Sequence, residues 1–227
     1  MRAVRRASWR ERLWCLFFPA RCLACGKAVC PERLFCPACA AALPKEPILR
    51  AFPLEGAEAG RLTAASSLLY EKGFRHTLHR LKFQEERALA GPIGQMMAQT
   101  AQALGIPFDG VTWVPMSPKK LQRRGYNQSQ LLARSVAREL KLPSWGLLEQ
   151  VKETQTQHQL TRVQRADNVR GVYRASGAAL GKRLLLVDDI VTTGATLRSC
   201  AQALYRAGAG SVTGLCSASA SIPPEES

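Results

Sequence analysis

The 227-residue sequence is poor in acidic residues and aromatic residues, and it has only three histidines. Only 17 Asp and Glu stand against 32 Lys and Arg, so the net charge is +15. This charge predicts a polyanionic partner: nucleic acid, anionic lipid or a phosphate-rich small molecule. The histidines show no metal-ligand spacing, either with one another or with another candidate ligand, and they are His76, His79 and His158.

Long hydrophobic runs are also absent. Because a membrane-spanning helix needs roughly 20 consecutive apolar residues, an integral membrane protein is excluded. The first 18 residues have the outline of a secretion signal, with arginines before an apolar run at residues 13–18, but Pro19 and Arg21 end that run early. No small-residue cleavage site follows, so we expect a cytoplasmic protein. With 46% hydrophobic residues, the chain can still build a core, which excludes wholesale disorder.

Cysteine is scarce after residue 39, since six of the eight cysteines precede that point. Four of the six form two CxxC pairs separated by ten residues, and they are Cys22, Cys25, Cys36 and Cys39. Two such pairs supply four thiolates to one tetrahedral zinc ion. The two late cysteines, Cys200 and Cys216, lie in apolar segments and are expected to be buried.

Other interpretations of the cysteine pairs are weaker. A redox dithiol is expected beside a βαβ pattern, which is missing here. Disulfides need an oxidising compartment, which conflicts with the expected cytoplasmic location. Structural zinc is therefore favoured, and a closed four-thiolate site has no open position for catalysis. Cys30 lies between the pairs and is an alternative ligand.

Hydrophobic periodicity predicts alternating elements along the rest of the chain. Strands are predicted at residues 68–70, 111–114, 184–187 and 211–216. Helices are predicted at residues 75–104, 128–140 and 195–207, with a break in the first helix at Gly91-Pro92. Residues 43–60 have the composition of a linker and loop. This alternation predicts an α/β fold with a mostly parallel sheet.

The most informative segment is residues 184–197, where an apolar strand ends in Asp188 and Asp189 and a hydroxyl-rich loop opens a helix. Loop N–H groups and a helix N-terminus together form an anion site. The carboxylates can accept hydrogen bonds from a sugar diol or hold hydrated Mg²⁺. The segment therefore fits a ligand with a phosphate at one end and a ribose at the other, and its loop consists of Thr192, Thr193, Gly194, Ala195 and Thr196.

Three other interpretations of this segment are less consistent with it. A Walker B strand needs a P-loop, and the nearest candidate, at residues 176–183, has Ser176 and Arg183 where glycine and Ser or Thr belong. An aspartate phosphotransferase needs two aspartates separated by one residue, whereas these are adjacent. An acidic strand end with an ordinary threonine cap does not account for the length of the pattern.

This segment resembles the phosphoribosyl pyrophosphate (PRPP) signature of type I phosphoribosyltransferases. Further blocks resemble the ComF family, which includes the GntX-like proteins. These blocks are residues 114–120, residues 123–128 (RRGYNQ), residues 154–160, residues 165–173 and the double CxxC. The departures are Ser117 and Tyr173, where His and Phe are more often expected.

The resemblance implies a type I phosphoribosyltransferase domain at residues 46–217, preceded by a zinc-ribbon-like module at residues 1–45 and followed by a disordered tail at residues 218–227. Asp188 and Asp189 would face the ribose hydroxyls, and residues 192–196 would cradle the 5-phosphate. The resemblance further implies Mg²⁺ with PRPP, a mobile loop at residues 154–168, and a cation opposite the pyrophosphate from Lys119 or Lys120. It names no acceptor.

Residues 119–138 contain six basic residues and no acidic one. One interpretation is a single-stranded nucleic-acid track in which a base stacks on Tyr126. The other is a pyrophosphate loop followed by a solvated helix face. The resemblance implies a role in DNA uptake or utilisation. Two functions remain open: a phosphoribosyltransferase with an unknown acceptor, and a non-catalytic nucleic-acid-binding accessory protein of the DNA-uptake machinery.

Overall fold

The structure is a computed structural model that describes residues 20–30, 32–54, 60–83, 86–152 and 171–220. The strands in these ranges are β1 (Ala20–Arg21), β2 (Ala28–Val29), β3 (Ile48–Pro53), β4 (Arg61–Leu69), β5 (Gly110–Trp113), β6 (Leu148–Gln150), β7 (Tyr173–Ala175), β8 (Arg183–Val191) and β9 (Ser211–Ser219). The α-helices are α1 (Pro37–Ala41), α2 (Lys72–Phe83), α3 (Ala90–Ala103), α4 (Pro118–Arg124), α5 (Gln128–Leu140) and α6 (Ala195–Arg206).

A five-stranded sheet forms the centre of the protein, with the strand order β3–β4–β9–β8–β5. The four strands β4, β9, β8 and β5 are parallel neighbours, and only the edge strand β3 runs antiparallel. The smaller pairs β1–β2 and β6–β7 are antiparallel. The predicted α/β fold with a mostly parallel sheet is confirmed.

Strand β8 is buried on both faces. Leu185 and Val187 join the core beside α2, α3 and α5, whereas Leu184 and Leu186 join the core beside α6. All four side chains are fully buried. A parallel strand covered by helices on both faces is apolar at every position, which explains the continuous apolar run before the two aspartates.

Two sequence predictions about the elements were wrong. The expected linker at residues 43–60 contains β3, which pairs with β4 along its whole length. The predicted break at Gly91-Pro92 lies inside the first turn of α3. Proline is tolerated there because the N–H groups of a first turn have no helical partner. Helix α2 ends at Phe83, and a 3₁₀ turn at Arg87–Leu89 precedes α3.

The cysteine-rich segment packs against the main sheet layer. Cys22, Leu23, Phe35 and Cys36 belong to the same buried cluster as the apolar side chains of α2 and α3. At the other end, β9 extends to Ser219, two residues past the predicted domain end, and residues 221–227 of the predicted tail lie outside the described residues. As expected, Cys200 and Cys216 are buried. Across the described ranges, no helix combines the length and apolar character that a membrane crossing needs.

Candidate phosphate and ribose site

The two aspartates lie near the carboxyl end of β8, between β9 and β5, and each carboxylate is held by several groups. Asp188 Oδ1 accepts a hydrogen bond from Ser129 Oγ at 2.8 Å, from the first turn of α5. Asp189 Oδ1 accepts one from the Ile190 N–H at 2.7 Å. Asp189 Oδ2 lies 2.7 Å from Lys82 Nζ, an ion pair with the end of α2. The sheet and both flanking helices therefore fix the pair.

The environment of Asp188 opposes its ionisation. Burial and the neighbouring negative charge of Asp189 raise the pKa of Asp188 from 3.8 to about 7, although the hydrogen bond from Ser129 acts in the opposite direction. The ionised form of a carboxyl group in such an environment would be stabilised by a bound ligand or cation. Such shifts concentrate at functional sites, since an ordinary structural carboxylate is placed where its charge is stabilised.

The loop that follows β8 has the geometry of an anion site. Gly194 has a φ of 74° and precedes the first residue of α6, so the loop enters the helix through a left-handed position. A Cβ on Gly194 would lie 2.4 Å from the Phe52 ring, which leaves room only for glycine. Thr192 and Thr193 are exposed. Exposed loop hydroxyls beside a helix N-terminus suit a phosphate group.

Edge strand β3 also reaches this loop. The Arg50 guanidinium donates a hydrogen bond to the Thr192 carbonyl and lies 4.9 Å above the Phe52 ring. Phe52 in turn packs against Gly194. Arg50 therefore braces the loop and brings a positive charge next to it. Residues 192–196 and their strand-loop-helix context match the sequence prediction, whereas the contribution of β3 was not foreseen.

Lys119 and Lys120 are exposed on the first turn of α4. Buried Ser117 caps this helix by accepting a hydrogen bond from the Lys120 N–H. The helix starts just after β5, and the Val114 N–H donates to the Val187 carbonyl beside Asp188. Both lysines are thus on the segment that leaves the same edge of the sheet as the carboxylates.

Residues 123–128 pack into the protein, although one interpretation of the sequence expected Tyr126 to stack on a base. Tyr126 is buried, its hydroxyl donates to the Leu81 carbonyl, and the Arg87 guanidinium lies 4.7 Å from its ring centroid. The proposed stacking of a base on Tyr126 was therefore wrong, because the ring is already covered. Asn127 caps α5 and donates to the Val114 carbonyl at 2.9 Å, which places Ser129 beside Asp188.

The four predicted metal ligands converge. The Sγ atoms of the two CxxC pairs lie within 4.8 Å of one another, and they belong to Cys22, Cys25, Cys36 and Cys39. This spacing matches the sulfur tetrahedron around a zinc ion, whose Zn–S bonds are near 2.3 Å. Cys30, the alternative ligand, is exposed and lies outside this group.

Cys22 loses its proton more readily than an ordinary cysteine, which favours metal binding because the thiolate is the form that binds a metal. Burial raises the pKa of the Cys22 thiol, but hydrogen bonds from the backbone of Cys25, Cys36 and Ala24 outweigh burial and lower this pKa from 9.0 to about 6. The pKa of Cys36 is also lowered, chiefly by a backbone hydrogen bond from Cys39. Cys39 retains its proton, because its hydrogen bond to Cys36 raises its pKa to about 12. A bound cation would displace that proton.

The cysteine knuckle is fastened to α2. Buried Thr77 Oγ1 donates to the Leu23 carbonyl at 2.6 Å. A Cβ on Gly73 would lie 2.5 Å from the Ala24 carbonyl oxygen, so the helix and the knuckle are in direct backbone contact. The knuckle therefore supports the helix whose last turn carries Lys82.

Three residues of the site were missed from the sequence: Lys82, Ser129 and Arg50. Ser129 directly follows the RRGYNQ block, and this proximity was the one available signal. Lys82 and Arg50 have no local signal, because each reaches the site only through long-range packing. The predicted mobile loop at residues 154–168 lies outside the described residues.

Comparisons with known proteins agree with this geometry. A family model of the phosphoribosyl transferase domain matches residues 127–225. The chain is 32% identical over 205 residues to the DNA utilization protein YhgH of Salmonella typhimurium. This alignment covers 86% of this chain and 88% of that protein. It is 28% identical over 141 residues to Competence protein F of Haemophilus influenzae, with coverage of 58% and 61%.

Among solved structures, glutamine PRPP amidotransferase from B. subtilis aligns with 25% identity and a TM-score of 0.41, and the alignment spans 58% of this chain and 26% of that chain. The relationship to YhgH spans most of both proteins. Together with the phosphoribosyl transferase match, it shows that the chain belongs to the ComF family of proteins with a phosphoribosyltransferase domain.

Proposed function

We propose that this protein binds PRPP together with Mg²⁺ at the end of β8 and acts as a phosphoribosyltransferase in DNA uptake or utilisation. The observation that carries the proposal is the carboxylate pair followed directly by the loop at Gly194. Asp188 and Asp189 would accept hydrogen bonds from the ribose 2- and 3-hydroxyls. The loop N–H groups, with Thr192, Thr193 and Thr196, would bind the 5-phosphate.

The reaction would break the bond between C1 of the ribose and the pyrophosphate oxygen, and form a bond from C1 to the acceptor. Positive charge develops on the ribose, and negative charge on the departing pyrophosphate. Lys119 or Lys120 would counter that negative charge. Carboxylate oxygens of Asp188 and Asp189 are the ligands that Mg²⁺ prefers, and a bound Mg²⁺ would supply further charge neutralisation.

Calorimetric titration with PRPP and Mg²⁺ tests this proposal. The wild type should bind, and the Asp188→Asn, Asp189→Asn double variant should lose at least about a hundredfold in affinity, since it loses two charged acceptors. Asp109→Asn is the matched control, because Asp109 pairs with Arg183 at the opposite end of the same strand. A wild type that binds no PRPP would refute the proposal, as would a double variant of unchanged affinity.

We also infer that the four-cysteine cluster holds one structural zinc ion. The convergence of four Sγ atoms and the lowered pKa of Cys22 support this inference. Metal analysis of the purified protein should give about one zinc per chain. Cys22→Ser should release the metal and destabilise the fold, whereas Cys30→Ser should retain it. A folded protein without metal, or zinc loss in the Cys30 variant, would contradict the inference.

A second candidate is non-catalytic nucleic-acid binding, which the exposed basic residues of α4 and α5 support. Five of the six basic residues in this block are exposed, and they are Lys119, Lys120, Arg123, Arg134 and Arg138. The names of the YhgH and Competence protein F relatives also refer to DNA utilisation and competence. Binding of a fluorescent single-stranded oligonucleotide should weaken steeply with salt, and Arg134→Gln with Arg138→Gln should reduce the slope by about two. No binding at low salt would exclude this role.

A further inference from the structure

Lys82 is a buried cation that the sequence patterns did not single out. Its Nζ lies 2.7 Å from Asp189 Oδ2, and the side chains of Lys82 and Asp189 are only 22% and 8% exposed. A carboxylate that is so little exposed to solvent is stabilised by a counter-charge. Lys82 supplies this charge at the same carboxylate that the sequence assigns to the ribose hydroxyls.

Each oxygen of the Asp189 carboxylate has its own partner. Oδ1 accepts the Ile190 N–H, and Oδ2 faces the Lys82 ammonium. Two separate partners on the two oxygens restrict rotation of the carboxylate. Lys82 therefore helps to set the orientation of the Asp189 carboxylate.

The helix end that carries Lys82 is itself fixed. Tyr126 donates its hydroxyl hydrogen bond to the carbonyl of Leu81, the residue before Lys82. At the middle of α2, Thr77 joins the helix to the cysteine knuckle. These contacts fix the position of the helix, and therefore of the Lys82 ammonium group beside Asp189.

We propose that Lys82 is a positioning residue for ribose recognition, acting through Asp189. This inference rests on the proposed function, because it assigns Lys82 a part in binding the ribose of PRPP. Lys82 holds the Asp189 carboxylate in the orientation in which it accepts hydrogen bonds from the ribose hydroxyls. Lys82 itself does not bind the pyrophosphate.

The experiment compares Lys82→Met, Lys82→Arg and the matched control Arg80→Met. Arg80 lies on the same helix, has the same charge, forms an ion pair and is equally buried at 21% exposure, but its partner is Glu86. Each variant is titrated calorimetrically with PRPP, ribose 5-phosphate and pyrophosphate, all with Mg²⁺. Urea unfolding of each variant measures the cost to stability separately.

Lys82→Met should weaken PRPP and ribose 5-phosphate by the same factor, about tenfold or more, because the lost interaction involves a charged hydrogen-bonding group. Its affinity for pyrophosphate should not change. Lys82→Arg should recover most of the loss, since it retains the charge. Arg80→Met should bind all three ligands within about twofold of the wild type.

Other outcomes overturn the inference. If Lys82→Met binds PRPP as tightly as the wild type, Lys82 has no part in recognition. If pyrophosphate affinity falls with PRPP affinity, Lys82 contacts the ligand directly. If Arg80→Met is equally weak, the effect comes from the helix in general. If the wild type binds no PRPP, the proposed function fails first, which is distinct from a binding wild type with an unaffected Lys82 variant.

Discussion

An aspartate lies beside a cation at each end of β8, yet the two ends are built in opposite ways. At the start of the strand, Asp109 accepts hydrogen bonds from the Arg183 backbone N–H, Nε and Nη2, and these partners lower the pKa of Asp109 to about 2. At the far end, burial and Asp189 raise the pKa of Asp188 to about 7.

This contrast separates a carboxylate whose charge is satisfied within the protein from a pair whose charges are only partly neutralised. Asp109 is exposed and paired with a single arginine, so its charge is satisfied in the free protein. Asp188 and Asp189 are two like charges in adjacent positions, and only one lysine faces them in an ion pair of the described structure. A site that stays incompletely neutralised costs folding free energy but retains the capacity to bind a ligand or cation.

The largest expected effect is on the pH dependence of stability at the far end. Because the folded pKa of Asp188 is above its unfolded value of 3.8, the contribution of Asp188 to the free energy of unfolding is largest below pH 4 and falls as the pH rises towards 7. Asp188→Asn should remove this fall and stabilise the protein at pH 8 by on the order of 2 kcal/mol. Urea unfolding at several pH values, without added Mg²⁺, measures it. Equal slopes in the variant and the wild type would contradict the assignment.

A smaller effect is expected from Ser129→Ala, which removes the hydrogen bond that favours ionised Asp188. The variant should be less stable at pH 8 by about 1 kcal/mol, and less affected at pH 4, where Asp188 is protonated. PRPP affinity should fall several-fold. Ser135→Ala is the control, because Ser135 lies on the same helix but donates to the Gly91 carbonyl. If both variants lose affinity equally, the effect is not specific to Asp188.

Arg50→Met tests how far the edge strand supports the site. The loss of its hydrogen bond to the Thr192 carbonyl and of a positive charge beside the loop should weaken PRPP binding by about threefold to tenfold. Stability should change little, since Arg50 is only partly buried. Calorimetry measures the affinity, and Arg61→Met on the neighbouring strand is the control. Unchanged affinity would show that the loop holds its shape without β3.

The smallest effect is expected at the start of β8. Asp109 has a lowered pKa, so the stability that it contributes is present above its unfolded pKa of 3.8 and is lost as the pH falls towards 2. Asp109→Asn should therefore be slightly less stable than the wild type at pH 6 and indistinguishable from it near pH 2. Thermal unfolding at these pH values checks the sign. A stabilised variant at pH 6 would remove the contrast between the two strand ends.

Much of the fold could be predicted because its signals are local. The apolar run before Asp188, the helical spacing of α5 and the start of α6 each depend on a few neighbouring residues. β3 could not be predicted in this way, since its proline and short length resemble a loop until pairing with β4 orders it. The position of the break before α3 also depended on packing, because Gly91-Pro92 fits a first helical turn.

The chemical groups of the two sites can be identified from the amino-acid sequence: four thiols in two CxxC pairs, two adjacent carboxylates and a hydroxyl-rich loop that contains a glycine. These are short-range patterns in which spacing along the chain sets spacing in space. The distant residues that contact these groups are known only from the tertiary structure. Lys82 and Ser129 converge on the aspartates, and Arg50 reaches the loop across 142 positions of sequence. Such partners are chosen by sheet order and helix docking, which depend on burial of the whole core rather than on any local pattern.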